Sequence, residues 1–225
     1  TGMQEIPVPR ALTTEEIKQT VQDFRHAARC AIEAGFDGVE IHGANAYLIQ
    51  QFFAPSANTR TDEYGGSIEN RARFAIEVAT AIVEEIGADK TAIRISPGAL
   101  LWGIDEGQEG PELYRYLVKE LNKLGLVYLH VMHLGNEELL QDIRQIWTQA
   151  LIINRPGRPR ENIGTDIESG LADLESYGQM ILANPDFVSR LQQNLPMNEA
   201  DNTTYYGGDA QGYVDYPTLN TSTEI

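Results

Sequence analysis

Between Thr13 and Ala34 apolar residues return at helical spacing (Ile17, Val21, Phe24, Ala28, Ala31), behind a Thr13-x-x-Glu16 capping box and ahead of Gly35. The pattern predicts a helix there. A short β-leaning run, Phe36 to Ile41, follows and leads into the polar cluster His42-Gly43-Ala44-Asn45-Ala46-Tyr47. The alternation then repeats. Helical periodicity covers Ser67 to Ile86, Pro111 to Leu124, Asn136 to Thr148, Arg160 to Ser169 and Pro185 to Gln193. Strand-like runs cover Thr91 to Ser96, Val127 to Met132, Ala150 to Asn154 and Ala172 to Tyr177.

Five strands, each followed by a helix and each too apolar to face water, predict a parallel sheet covered by helices, either doubly wound or closed into a barrel. The polar residues favour the barrel. His42 follows the first strand, Arg94 and Ser96 lie at the second, and His130 and His133 at the third. Asn154 and Arg155 follow the fourth, and Gly178 and Gln179 the fifth. Chemistry gathered at one sheet edge is the habit of a (β/α)8 TIM barrel, whose carboxyl-terminal face carries the active site and whose last two strand loops bind phosphate. The chain is three strands short of eight and opens on a helix, so it is expected to be the carboxyl-terminal portion of a larger barrel. After Asn194 turn formers dominate, from Asn198 to Gly208. The expected organisation is therefore βα units over residues 1–194 and a tail or lid over 195–225.

Composition narrows the function. Seventeen Lys and Arg against 33 Asp and Glu leave a formal net charge of −16 in 225 residues, which repels phosphate backbones and anionic lipid. Neither nucleic acid nor a membrane surface is expected as a partner. One cysteine, Cys30, gives no disulfide framework and no zinc cluster. No apolar run is long enough to span a bilayer, and the start lacks a signal-peptide pattern, so a cytoplasmic location is expected. The sequons at Asn202 and Asn220 are of a kind that arises by chance.

Within this frame His42, Asn45 and Tyr47 form the sharpest cluster. An imidazole N–H and an amide NH2 just past a strand end could donate to one substrate oxygen, and a phenol two residues on could supply a proton. The competing reading has His42 and Asn45 satisfying loop backbone groups and Tyr47 packing under the next helix. Arg94, inside an apolar strand, needs a partner, either an anionic ligand or a carboxylate such as Glu40. Asn154-Arg155-Pro156-Gly157-Arg158-Pro159-Arg160 places three arginines in six residues, suited to phosphate or to a solvated turn. Gly178, ahead of Ala183-Asn184-Pro185, resembles a backbone nest for an anion. His130, His133 and Glu40 lack metal-ligand spacing, so no metal site is expected.

The strings Pro9-Arg10-Ala11-Leu12-Thr13, Gly35-Phe36-Asp37-Gly38-Val39-Glu40-Ile41-His42-Gly43-Ala44-Asn45-Ala46-Tyr47-Leu48, Asn58-Thr59-Arg60-Thr61-Asp62-Glu63-Tyr64-Gly65-Gly66-Ser67 and Glu69-Asn70-Arg71 resemble the Old Yellow Enzyme family of FMN-dependent ene-reductases. Agreement continues through Ala183-Asn184-Pro185-Asp186, Tyr206-Gly207-Gly208 and Gly212-Tyr213-Val214-Asp215-Tyr216-Pro217. The resemblance implies an FMN enzyme on a TIM barrel, reduced by NAD(P)H, that passes hydride to an alkene activated by a carbonyl or nitro group. It implies that His42 and Asn45 hold the substrate oxygen, Tyr47 protonates the α-carbon, Arg94 lies beside the flavin pyrimidine and Tyr206 borders the substrate pocket.

The chain departs from that family in two places. Arg155-Pro156 stands where many members carry Gly-Gly after the seventh strand, and Gly178-Gln179 where many carry Gly-Arg after the eighth. The expectation is that Arg155 or Arg158 takes over the phosphate charge, with Asn154, Gly178 and Gln179 also among the cofactor-binding residues. The first three strands are also absent, so the missing amino-terminal segment or a second copy is the expected partner at the open edges. The alternatives are nitroester or quinone reduction on the same scaffold, and a truncated inactive fragment that serves in association.

Overall fold

A computed structural model describes residues 7–206 and 209–219; the sequon at Asn220 and the Gly207-Gly208 pair lie outside them. The chain divides into two compact units between Glu175 and Ser176. In the first, β1 (Val39–Gly43), β2 (Thr91–Ile95), β3 (Tyr128–Met132), β4 (Ala150–Asn154) and β5 (Leu174–Glu175) form one sheet in the order β1-β2-β3-β4-β5, every neighbouring pair parallel. Sequential order with parallel pairing requires each connection to climb back over the sheet, and helices do this. α1 (Thr14–Glu33) leads into β1, the short α2 (Leu48–Phe53) lies beside a strand end, α3 (Ile68–Ile86), α4 (Gly110–Asn122) and α5 (Glu137–Ile146) make the crossings, and the short α6 (Thr165–Glu168) lies between β4 and β5. Neighbouring helices pack in series, α1 on α3, α3 on α4 and α4 on α5.

Local chemistry sets these elements. Thr13 Oγ1 accepts from the Glu16 amide at 3.2 Å while Glu16 Oε2 accepts from the Thr13 amide at 2.8 Å, the reciprocal cap that starts α1. Ser67 caps α3 and Asn136 caps α5 in the same sense, each accepting from the amide three residues on. Along the strands, Ile41, Ile93, Ile95, Leu129, Val131, Leu151 and Ile153 are buried towards the helices, where they join Phe74, Val78, Leu113, Leu117, Leu140 and Ile143 in one core. Each such side chain contributes about 1.5–3 kcal/mol through water excluded from its surface. Side chains alternate along a strand, so the residues between them face the other way, and these are Glu40, His42, Arg94, His130 and Asn154. The expected strands, apolar on both faces, are thus corrected: one face is polar.

Three further expectations change. β1 begins three residues later than Phe36 and runs to Gly43, so His42 lies within the strand and not after it. The expected helix over 160–169 breaks into a 3-10 turn, Arg160–Asn162, and the single-turn α6, because Gly164 adopts φ +89° between them. The fifth strand pairs over two residues only, against the six expected. α2 was not foreseen.

The second unit contains α7 (Gln179–Ala183) and α8 (Phe187–Gln192), followed by irregular chain. Buried Arg190 ties that chain down, donating to the carbonyl oxygens of Pro196 and Pro217 at 2.8 Å each, while Asn198 Nδ2 donates to Ala183 O and Pro217 O at 2.8 Å. Among the described residues no helix is long and apolar enough to cross a membrane, and no group of three or more His, Cys, Asp or Glu could hold a metal ion.

Candidate active site

Strand register assembles the polar face. His42 on β1 pairs with Arg94 on β2, and Arg94 pairs with His130 on β3. Arg94 Nη1 donates to His130 Nε2 at 3.4 Å and Nη2 to Asn154 Oδ1 at 3.3 Å. Accepting at Nε2 leaves the His130 proton on Nδ1, which donates to Glu40 Oε2 at 2.9 Å. Glu40 therefore reaches Arg94 through an imidazole instead of pairing with it directly. Burial alone would raise the Glu40 carboxyl, but the His130 hydrogen bond and the nearby positive charge of Arg94 hold it below its ordinary value. Burial lowers the Arg94 guanidinium from its ordinary value, and Glu40 opposes that shift; an arginine side chain stays charged in proteins. Burial and the Arg94 charge together depress His42, so its imidazole is neutral at pH 7.

The loop after β1 brings a second element alongside. The Tyr47 ring lies 5.2 Å from the His42 ring, tilted by 53°, and the residue is 60% exposed, open to an incoming molecule. The reading that Tyr47 packs under the next helix is not what is found; it stands at the amino end of α2. To make this turn, Asn45 and Ala46 take left-handed backbone, φ 57° and 64°, which costs about 1–2 kcal/mol per residue without glycine. Buried polar groups hold it. The Asn45 amide donates to Ser96 Oγ at 2.8 Å and the Ala46 amide to Gln50 Oε1 at 2.6 Å. Gln50, fully buried, also accepts from Ser96 Oγ at 3.0 Å and donates from Nε2 to Ser96 O at 3.2 Å and to Glu106 Oε1 at 2.5 Å. Tyr114 OH donates to the same Glu106 oxygen at 2.8 Å. Gln50, Glu106 and Tyr114 were not singled out from the sequence; a polar pair at Gln50-Gln51 inside an otherwise apolar helix was the available signal.

Beyond β3 and β4 lies a cleft of about 610 Å³ lined by His133, Glu137, Arg155, Arg158 and Asp166 among others. Every donor nitrogen of Arg155 is spent on a carboxylate. Nε bonds Asp166 at 2.8 Å, Nη1 bonds Glu137 at 2.5 Å, and Nη2 bonds both, at 3.0 and 3.1 Å. Arg158, buried, donates to Glu175 and to Asp166. Arg155 pulls the Glu137 carboxyl down to about 2, against a smaller opposing effect of burial.

Gly178, Gln179 and Tyr206 belong to the second unit. There Gly178 precedes α7 and Tyr206 is almost wholly exposed.

Two buried side-chain atoms on the polar face and its loop have no partner, Arg94 Nε and Asn45 Oδ1. A buried unpaired donor invites a ligand acceptor. A planar heteroaromatic ring rich in carbonyl and imine acceptors suits Arg94.

The sequence profile of the NADH:flavin oxidoreductase / NADH oxidase family matches residues 2–198. Putative 12-oxophytodienoate reductase 3 of Oryza sativa subsp. japonica is 46% identical over 229 residues, spanning 96% of this chain and 59% of the relative. 12-Oxophytodienoate reductase 2 of Arabidopsis thaliana is 44% identical over 225 residues, spanning 95% and 59%. Morphinone reductase, solved in complex with tetrahydroNAD, superposes with a TM-score of 0.93 at 39% identity, covering all of this chain and 62% of that one. The old yellow enzyme homologue from Zymomonas mobilis superposes with a TM-score of 0.91 at 34% identity, covering 97% and 63%. The five βα units are thus part of a (β/α)8 barrel fold, and the chain spans about three fifths of the length of these relatives. With a profile match along most of its length and a polar strand face fit for a flavin ring, the chain belongs to the NADH:flavin oxidoreductase / NADH oxidase family.

Proposed function

We propose that this protein carries the substrate-activating face of an NAD(P)H-driven, FMN-dependent reductase of activated alkenes, α,β-unsaturated carbonyl or nitro compounds. The observation that carries the reading is the convergence of a neutral imidazole, a guanidinium and an exposed phenol: His42 beside Arg94 in register, with the Tyr47 ring 5.2 Å from His42. FMN, when bound, supplies hydride to the alkene carbon β to the activating group. Arg94 would hold the flavin pyrimidine, where a fixed positive charge favours the anionic reduced ring. Asn154 and the His130–Glu40 pair hold Arg94 in turn.

His42, neutral at pH 7, donates a hydrogen bond to the substrate oxygen, and the side-chain NH2 of Asn45 donates a second. Two donors draw electron density from the conjugated system and leave its β-carbon electron-poor. The Tyr47 hydroxyl supplies the proton that the α-carbon takes up. Support for Tyr47 in that role is its exposure and its place against the His42 ring.

Tyr47→Phe is the test. Turnover of a cyclic enone should fall about 10²–10⁴-fold, while flavin reduction by NAD(P)H and nitroester reduction persist, since neither needs the phenol proton. Unchanged enone turnover would remove Tyr47 from the chemistry. Absence of bound flavin absorbance from the purified protein would remove the flavin itself and favour a role in association only.

A further inference from the structure

The cofactor reading leaves one cluster unexplained. The loops after the last strands of a barrel of this kind are where phosphate is ordinarily held, and here the loop after β4 presents Arg155 and Arg158. Both are already committed. Arg155 is gripped on Nε, Nη1 and Nη2 by Glu137 and Asp166, and Arg158 by Asp166 and Glu175. Two guanidiniums against three carboxylates leave the cluster with one negative charge in excess. His133, which touches Glu137 at 2.9 Å, is depressed by burial and adds no positive charge at neutral pH.

The carboxylates are also fixed in place. Glu175 Oε2 accepts from the Gly164 amide at 2.7 Å and Oε1 from the Asp166 amide at 3.0 Å, and the side chains of Glu175 and Asp166 are 4% and 7% exposed. A phosphate dianion entering here would have to break charge-assisted pairs, the buried ones to Asp166 and Glu175 and the exposed one between Arg155 and Glu137, and then face the displaced carboxylates. Nothing comparable opposes a ring at Arg94, whose Nε is unpartnered.

We infer that this protein holds its flavin by the ring and not by the phosphate, so that riboflavin, the dephosphorylated cofactor, binds as well as FMN. This rests on the flavin reading above and adds to it the class of flavin accepted. A free arginine clamping a phosphate would contribute a charge-assisted bond of about 1.5–3 kcal/mol, a preference for FMN of about 10- to 150-fold. Internal neutralisation of Arg155 and Arg158 removes that preference.

The purified protein, stripped of any bound flavin, is titrated with riboflavin and with FMN, following quenching of flavin fluorescence. Dissociation constants that agree within about tenfold support the inference. FMN binding tighter by more than that overturns it and leaves the flavin reading standing, whereas no binding of either flavin overturns both. Glu137→Gln, an exposed change that takes the opposing charge from Arg155 Nη1 and leaves Nη2 to Asp166 alone, and its combination with Glu175→Gln are then titrated in the same way. The double variant turns the cluster net positive, so FMN should gain at least about tenfold over wild type while riboflavin does not move. An unchanged FMN constant in both variants would show that the cluster does not govern phosphate binding, and would also overturn the inference.

Discussion

Gln50 is a structural keystone whose loss can be sized. Gln50→Leu keeps the volume of the side chain and deletes four hydrogen bonds, those to the Ala46 amide, the Ser96 hydroxyl, the Ser96 carbonyl and Glu106. The Ala46 amide, the Ser96 hydroxyl proton and one acceptor site on Glu106 are left unmet, at about 1–3 kcal/mol each, while the Ser96 carbonyl keeps the Ala99 amide. Two terms work against that sum. Leucine gains by its own burial, and the left-handed turn at Asn45 and Ala46 can relax, releasing strain of about 1–2 kcal/mol per residue. The expected net loss is about 3 kcal/mol, a large part of the 5–15 kcal/mol typical of a folded domain. Urea unfolding followed by tryptophan fluorescence reads it, because Trp147 is buried in the core. Relaxation of the turn also moves Asn45, so the KM for an enone should rise more than kcat falls. A midpoint equivalent to within about 0.5 kcal/mol of wild type would refute the reasoning, since a fully buried network cannot be deleted at that cost.

Other expectations follow from single contacts. Gly43→Ala places a Cβ 2.9 Å from the Arg94 carbonyl oxygen, between β1 and β2; the strands must part, at about 1–3 kcal/mol, and unfolding titrations that show no loss would contradict this. His42 should titrate below 6.5 by NMR, chiefly from burial and secondarily from Arg94, and should move up in Arg94→Gln; an unmoved value would mean that Arg94 does not act on it. Glu137 has its carboxyl lowered to about 2, so its pairing stabilises the fold above the ordinary carboxylate range and is lost as pH falls towards 2. Thermal melts of wild type between pH 6 and 3 should therefore fall more steeply than those of Glu137→Gln, by a margin reduced by solvent screening; parallel curves would count against the pairing.

What could be read along the chain was local. β4 spans the expected residues, β2 all but the last, and α1 and α3 start at the caps their sequences announce, because caps and apolar periodicity are written in neighbouring residues. α2 escaped notice because six residues give too short a period and Tyr47 makes no capping bond. The helix expected over 160–169 is broken because Gly164, with its positive φ, separates one turn from the next. In the site, the His42–Tyr47 contact was within reach of spacing, but the His42–Arg94 adjacency depends on strand register. The carboxylates that occupy Arg155 and Arg158 lie 8 to 18 residues away, and Glu106 lies 56 from Gln50, separations at which only the folded chain reveals partners.

Parallel strands in sequential order give the first unit two unlike rims. Gly35, Gly87 and Gly125, each in left-handed backbone, mark the turns that lead into β1, β2 and β3, at the rim opposite His42, Asn154 and Arg155. Gly35 and Gly125 have open space around them. A fluorophore, a surface tether or a short peptide insertion placed beside either glycine would sit a full strand length from the reactive groups, giving the molecule a natural handle by which to be held while it works.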